Sequence, residues 1–107
     1  MVRAAMVGAM LGVGLVASAS AQDRGAQLFV DQKCSLCHSI AGKGNAKGSL
    51  DDVGSKLSAD EIRAWITDAK GMTAKTKATR KPEMRAYSLE KADVDALVGY
   101  LSGLKKK

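Results

Sequence analysis

The sequence predicts an all-α domain of three main helices joined by two long loops, on three observations. Apolar residues recur at helical spacing in three stretches, near positions 25–30, 62–69 and 94–104. No run alternates β-branched with polar residues, as a half-buried strand would. Between the helical stretches lie one segment rich in glycine and lysine and one rich in cations, the second holding the only proline, Pro82.

The chain has 107 residues, enough for one domain. Its start reads as an export signal: Arg3 is followed by an apolar run from Ala4 to Val16 and by the small-x-small triplet Ala19-Ser20-Ala21. A membrane anchor is the competing reading. A span needs about 20 mainly apolar residues, and Ser18 and Ser20 interrupt this one. Residues 1–21 are therefore expected to be a signal peptide cleaved near Ala21. Residues 22–107 are expected to be the working domain, periplasmic and without stable membrane insertion.

The first helix is expected to start near Asp23, a suitable N-cap, and to carry Gly25, Ala26, Phe29 and Val30 towards Cys34. From Ser39 to Ser55, Gly42, Gly44, Gly48 and Gly54 predict an irregular loop, with Ile40 and Leu50 as packing points. Ser58-Ala59-Asp60-Glu61 is a capping box, Leu57 and Ile62 can staple it, and Ile62, Trp65, Ile66 and Ala69 form one stripe. From Lys70 to Tyr87 no stripe persists, so a second long loop with at most a helical turn is expected. Lys75, Lys77, Arg80, Lys81 and Arg85 there surround Met72 and Met84. The last helix begins between Ser88 and Lys91 and lines up Val94, Leu97, Val98, Leu101 and Leu104, with Tyr100 beside them.

This is a thin core. Phe29, Trp65, Tyr87 and Tyr100 are the only aromatics. A domain this small buries a modest share of its surface, and a disulfide, a metal or a large apolar prosthetic group usually helps to stabilise it.

Cys34-Ser35-Leu36-Cys37-His38 supplies the candidate, because C-x-x-C-H is the attachment signature of c-type haem. On a helical turn, positions three and four apart share a side, so both sulfurs can bond the haem vinyl carbons while the imidazole reaches iron. Three other readings fit less well. Zinc held by nitrogen and sulfur takes four ligands, and the chain has two cysteines and one histidine. A thioredoxin-like dithiol belongs beside βαβ structure. A disulfide across so short a loop would stabilise little.

Taken with Gly25 and Phe29 ahead of that pentad, Lys81-Pro82-Glu83-Met84, and Leu97-x-x-Tyr100 on the last helix, the sequence resembles the class I cytochrome c family in its compact bacterial form, over Asp23 to Leu104. The resemblance implies the cytochrome c fold wrapped around one covalently bound haem c. Cys34 and Cys37 would be its thioethers, His38 the proximal iron ligand and Met84 the distal one, with Met72 as the alternative. It also implies that the first and last helices cross closely, placing Gly25 against Gly99 and Tyr100. Two prolines common in the family are replaced, one by Arg85 and one within Gly48-Ser49-Leu50. A carbonyl at Gly48 or Ser49 is accordingly expected to accept the Nδ1 proton of His38. Trp65 reads as packing in its stripe ahead of donating to a haem propionate.

The function implied is electron transfer between redox proteins, with no enzyme activity and no small-molecule substrate. The chain is basic, 17 Lys and Arg against 11 Asp and Glu, and only Arg3 of these lies in residues 1–21. Cations around the ligand loop would steer it to acidic faces of its partners. Basicity without a recognition motif or an aromatic platform gives no nucleic-acid reading. A haem subunit docked permanently on a dehydrogenase or oxidase, and an open-site haem enzyme or sensor, are the competing functions. The family implies a monomer.

Overall fold

The computed structural model describes residues 16–105, with side chains from Asp23 onward; the first fifteen positions of the expected signal segment lie outside the described residues. Helix α1 spans Val16–Asp31 and runs straight through Asp23, which therefore does not cap it when residues 16–22 precede it. Alanines at 17, 19, 21 and 26 favour continuation, and nothing in the local sequence breaks the helix there.

The expected loop after the pentad is more ordered than its glycines imply. Strands β1 (Ser39–Ile40) and β2 (Lys43–Gly44) pair antiparallel across Ala41 and Gly42, both at positive φ, 53° and 81°. Alanine disfavours that conformation; a 2.7 Å hydrogen bond from its N–H to the Asp51 carboxylate helps to hold it. A 3₁₀ turn at Ala46–Gly48 and a single-turn helix α2 (Val53–Lys56) complete the segment. So small a hairpin leaves the domain all-α.

Helix α3 (Ala59–Thr67) starts as predicted. The Ser58 hydroxyl accepts the Glu61 N–H at 3.1 Å and the Glu61 carboxylate accepts the Ser58 N–H at 2.8 Å. Asp68 then ends α3 and caps a further helix, α4 (Ala69–Thr76), accepting from the Gly71 N–H at 3.3 Å. This corrects the expected loop after Lys70 and moves Ala69 out of the α3 stripe. Ala69 and Met72, three apart, are the buried side of α4. Beyond it the chain is irregular until α5 (Lys91–Ser102). Leu104 lies past the end of that helix.

Helix α1 packs most extensively on α5, and α3 lies against the same helix. Leu28 and Phe29 from α1, Ile62 and Ile66 from α3, and Val94, Leu97, Val98 and Leu101 from α5 form the core. At the α1–α5 crossing, a Cβ on Gly25 would fall on Tyr100 Cβ and within 2.6 Å of the Ala96 carbonyl oxygen. Gly99 does not take part, contrary to expectation: a Cβ there would meet nothing within 4 Å. Among the described residues no helix is long and apolar enough to cross a membrane.

Candidate cofactor site

A cavity of about 1070 Å³ opens beside this core, at the upper end of the ~300–1,000 Å³ usual for small-molecule sites. Five of the eight core residues, Phe29, Ile62, Ile66, Leu97 and Leu101, also line it. The apolar centre of the protein is thus one wall of the cavity. Cys34, Cys37 and His38 stand in the wall as well.

The pentad forms a 3₁₀ turn, Cys34–Leu36, entered through Lys33 in the left-handed region at φ 60°. That break separates the turn from α1. It is closed by N–H groups of Cys37 and His38 donating to the Cys34 carbonyl at 3.1 and 2.9 Å. The two thiols are not bonded to each other. Among the described residues no three His, Cys, Asp or Glu side chains converge on one point.

His38 Nδ1 lies 3.0 Å from the carbonyl oxygen of Gly48, one of the two acceptors that the family resemblance implied. With Nδ1–H donating there, the ring is fixed and Nε2 is left as the free nitrogen. The acceptor is itself secured by Asn45, which the sequence reading does not single out. The Asn45 N–H donates to the Ser35 and His38 carbonyls, both at 3.1 Å, and its side-chain amide to Leu36 at 3.2 Å. The Asn45 carboxamide oxygen also accepts from the Lys47 N–H, and Gly48 N–H donates to the Asn45 carbonyl at 3.1 Å. The signal present in the chain is asparagine next to a glycine-rich turn, where its side chain caps local backbone.

Burial pushes the His38 imidazole below its ordinary pKa; the bond to Gly48 opposes this, and the Arg80 charge adds to it. The neutral, metal-binding form is therefore favoured at neutral pH. Burial pushes the Cys34 thiol up.

Of the two candidate methionines, Met84 is half-buried in the cavity wall, whereas Met72 is buried on α4 and is not among the lining residues. The Met84 segment is tied down by the Tyr87 N–H donating to the Ile66 carbonyl at 2.8 Å and by Arg85 stacked over the Tyr87 ring at 5.2 Å. Trp65 lines the cavity together with Ile62 and Ile66, so its stripe faces the cavity. Of the five cations singled out in the sequence, Arg80 and Arg85 line the cavity; Lys75, Lys77 and Lys81 do not.

The residues fit a large, mainly apolar group with two sulfur attachment points and one nitrogen ligand, which defines a haem-attachment domain. The family model for cytochrome c matches residues 22–105, and the chain belongs to the cytochrome c family. Its cofactor is accordingly covalently attached haem c with iron, and its chemistry is haem-based electron transfer with redox protein partners. Comparison with curated proteins and with solved structures gives no match.

Proposed function

We propose that this chain is a mono-haem electron carrier of the class I bacterial type, working outside the cytoplasm after removal of residues 1–21. Cys34 and Cys37 are its thioether anchors, His38 the proximal iron ligand and Met84 the distal ligand. The observation carrying this reading is that Met84 shares the cavity with His38 and both cysteines, while Met72 belongs to the core. When bound, haem c supplies a one-electron ferric–ferrous couple, with no substrate bond made or broken. Gly48 orients His38 and strengthens its donation. A Met84 thioether and apolar walls both favour the ferrous form and raise the potential. With both axial positions taken by side chains, the protein is a carrier and not an enzyme or gas sensor.

The ferric spectrum tests this directly. The wild-type protein should be low-spin with a weak sulfur-to-iron charge-transfer band. Met84→Ala should abolish that band and Met72→Ala should keep it. A band surviving in Met84→Ala refutes the ligand assignment, and a high-spin wild-type spectrum favours an open-site enzyme or sensor.

A diffusible monomer is favoured over a permanently docked subunit by the surface. Val30 and Leu36 are the large apolar side chains that stand exposed among the described residues, 63% and 69% respectively, too few for a broad apolar interface. Lys33, Lys56, Arg80 and Arg85 stand around the cavity, with Asp51, Asp52 and Glu83 among them, and Glu83 is paired with Lys81 at 3.2 Å. The chain's overall excess of cations, 17 Lys and Arg against 11 Asp and Glu, supports docking on acidic partner faces. The bimolecular electron-transfer rate with the native partner should then fall steeply as ionic strength rises; an indifferent rate refutes electrostatic steering.

A further inference from the structure

Arg80 is a feature of the site that neither attachment nor ligation explains. It precedes the Met84 segment in sequence, yet its guanidinium sits on the other loop. A Cβ built on Gly48 would fall on Arg80 Nη1 and on the Cys37 carbonyl oxygen, and 2.9 Å from His38 Nδ1. Both nitrogens lie within 3.0 Å of that one point, so they are less than about 6 Å apart (twice 3.0 Å). Only glycine at position 48 leaves room for a cation there, and the same glycine supplies the carbonyl that His38 uses.

We propose that Arg80 is a positioning residue for the reduction potential, acting through the His38–Gly48 hydrogen bond. This rests on His38 being the iron ligand, as in the proposed function. Two effects of the guanidinium have the same sign. A positive charge inside the Debye length of about 8–10 Å disfavours the ferric site, which carries one more positive charge than the ferrous. It also draws electron density away from the neighbouring imidazole and its carbonyl acceptor, which weakens nitrogen donation and again disfavours ferric iron. Arg80 therefore raises the potential, and removing its charge lowers it. Lys77, exposed and outside the cavity wall, is the matched control from the same region.

The test is spectroelectrochemistry on haem-loaded wild type, Arg80→Gln, Arg80→Lys and Lys77→Gln, with ferric spectra recorded alongside. Arg80 is exposed, so its variants should fold. Arg80→Gln should shift the ferrous-to-ferric ratio at fixed electrode potential at least threefold towards ferric, about 28 mV at 59 mV per tenfold for a one-electron couple. Arg80→Lys should retain most of the wild-type potential and Lys77→Gln should shift it far less than Arg80→Gln. The proposal is overturned if Arg80→Gln moves the potential no more than Lys77→Gln, if Arg80→Lys falls as far as Arg80→Gln, or if Arg80→Gln alone loses the charge-transfer band. A wild type lacking that band faults the Met84 assignment and leaves the Arg80 comparison decisive, because the effect runs through His38. A wild type without attached haem overturns both.

Discussion

A chain in which Cys34 and Cys37 are both alanine should emerge from a maturation-competent host colourless, with the mass of its bare polypeptide and with its far-UV helical signal largely lost. The first two outcomes follow from the absence of any other sulfur at the attachment turn: these are the only cysteines in the chain. The third follows from the packing. Phe29, Ile62, Ile66, Leu97 and Leu101 each face the cavity as well as the core, so the cofactor is part of the apolar centre that holds α1, α3 and α5 together. A domain of this size has a stability of about 5–15 kcal/mol. Left unfilled, a cavity of about 1070 Å³ forfeits the contacts its walls would make with the cofactor, a cost that rises with cavity volume and is set against that margin. Single substitutions should leave one thioether and a less stable, still coloured protein. If the double variant retained covalent haem, Cys34 and Cys37 could not be its anchors.

Gly25→Leu should destabilise the haem-loaded protein by about 1–3 kcal/mol or more, the usual cost of overpacking. Loss of 1 kcal/mol lowers Tm by about 4–8 °C in a domain of this size. Glycine inside a helix is unfavourable by about 1 kcal/mol relative to alanine, so propensity alone predicts that even Gly25→Ala is a gain. Packing reverses the sign, because the new Cβ would meet Tyr100 Cβ and the Ala96 carbonyl oxygen, and the α5 backbone cannot yield locally. Gly99→Ala is the control. Its Cβ would meet nothing within 4 Å on an exposed face, so it should be neutral or stabilising. Thermal or denaturant unfolding of the three variants checks the contrast, and a Gly25→Leu protein of unchanged Tm would contradict the close crossing.

The same two glycines show where sequence reading stops. In the chain each is a glycine in a helical pattern, and only the approach of α1 to α5 tells one from the other. Helix α4 escapes the sequence for a related reason: Ala69 and Met72 are its sole buried positions, and two apolar residues among lysines and threonines give no stripe until a neighbour covers them. Aspartate caps well, which points to Asp23 as the start of α1, but capping needs a chain that is not already helical before it.

Residues that act through close neighbours in the chain are legible. The pentad, the Ser58–Glu61 capping box and the helical stripes of α3 and α5 depend on spacing, which the sequence states outright, whereas the family resemblance narrowed the His38 acceptor only to Gly48 or Ser49 and the fold chose Gly48. By itself the sequence determined an all-α domain and its haem-attachment turn. Tertiary structure alone decided that Met84 and not Met72 meets the cavity, that Asn45 latches the acceptor turn, and that Arg80 lies against Gly48. Each of those depends on how separate segments come together around a common wall, and that is settled by burial and shape across the whole domain.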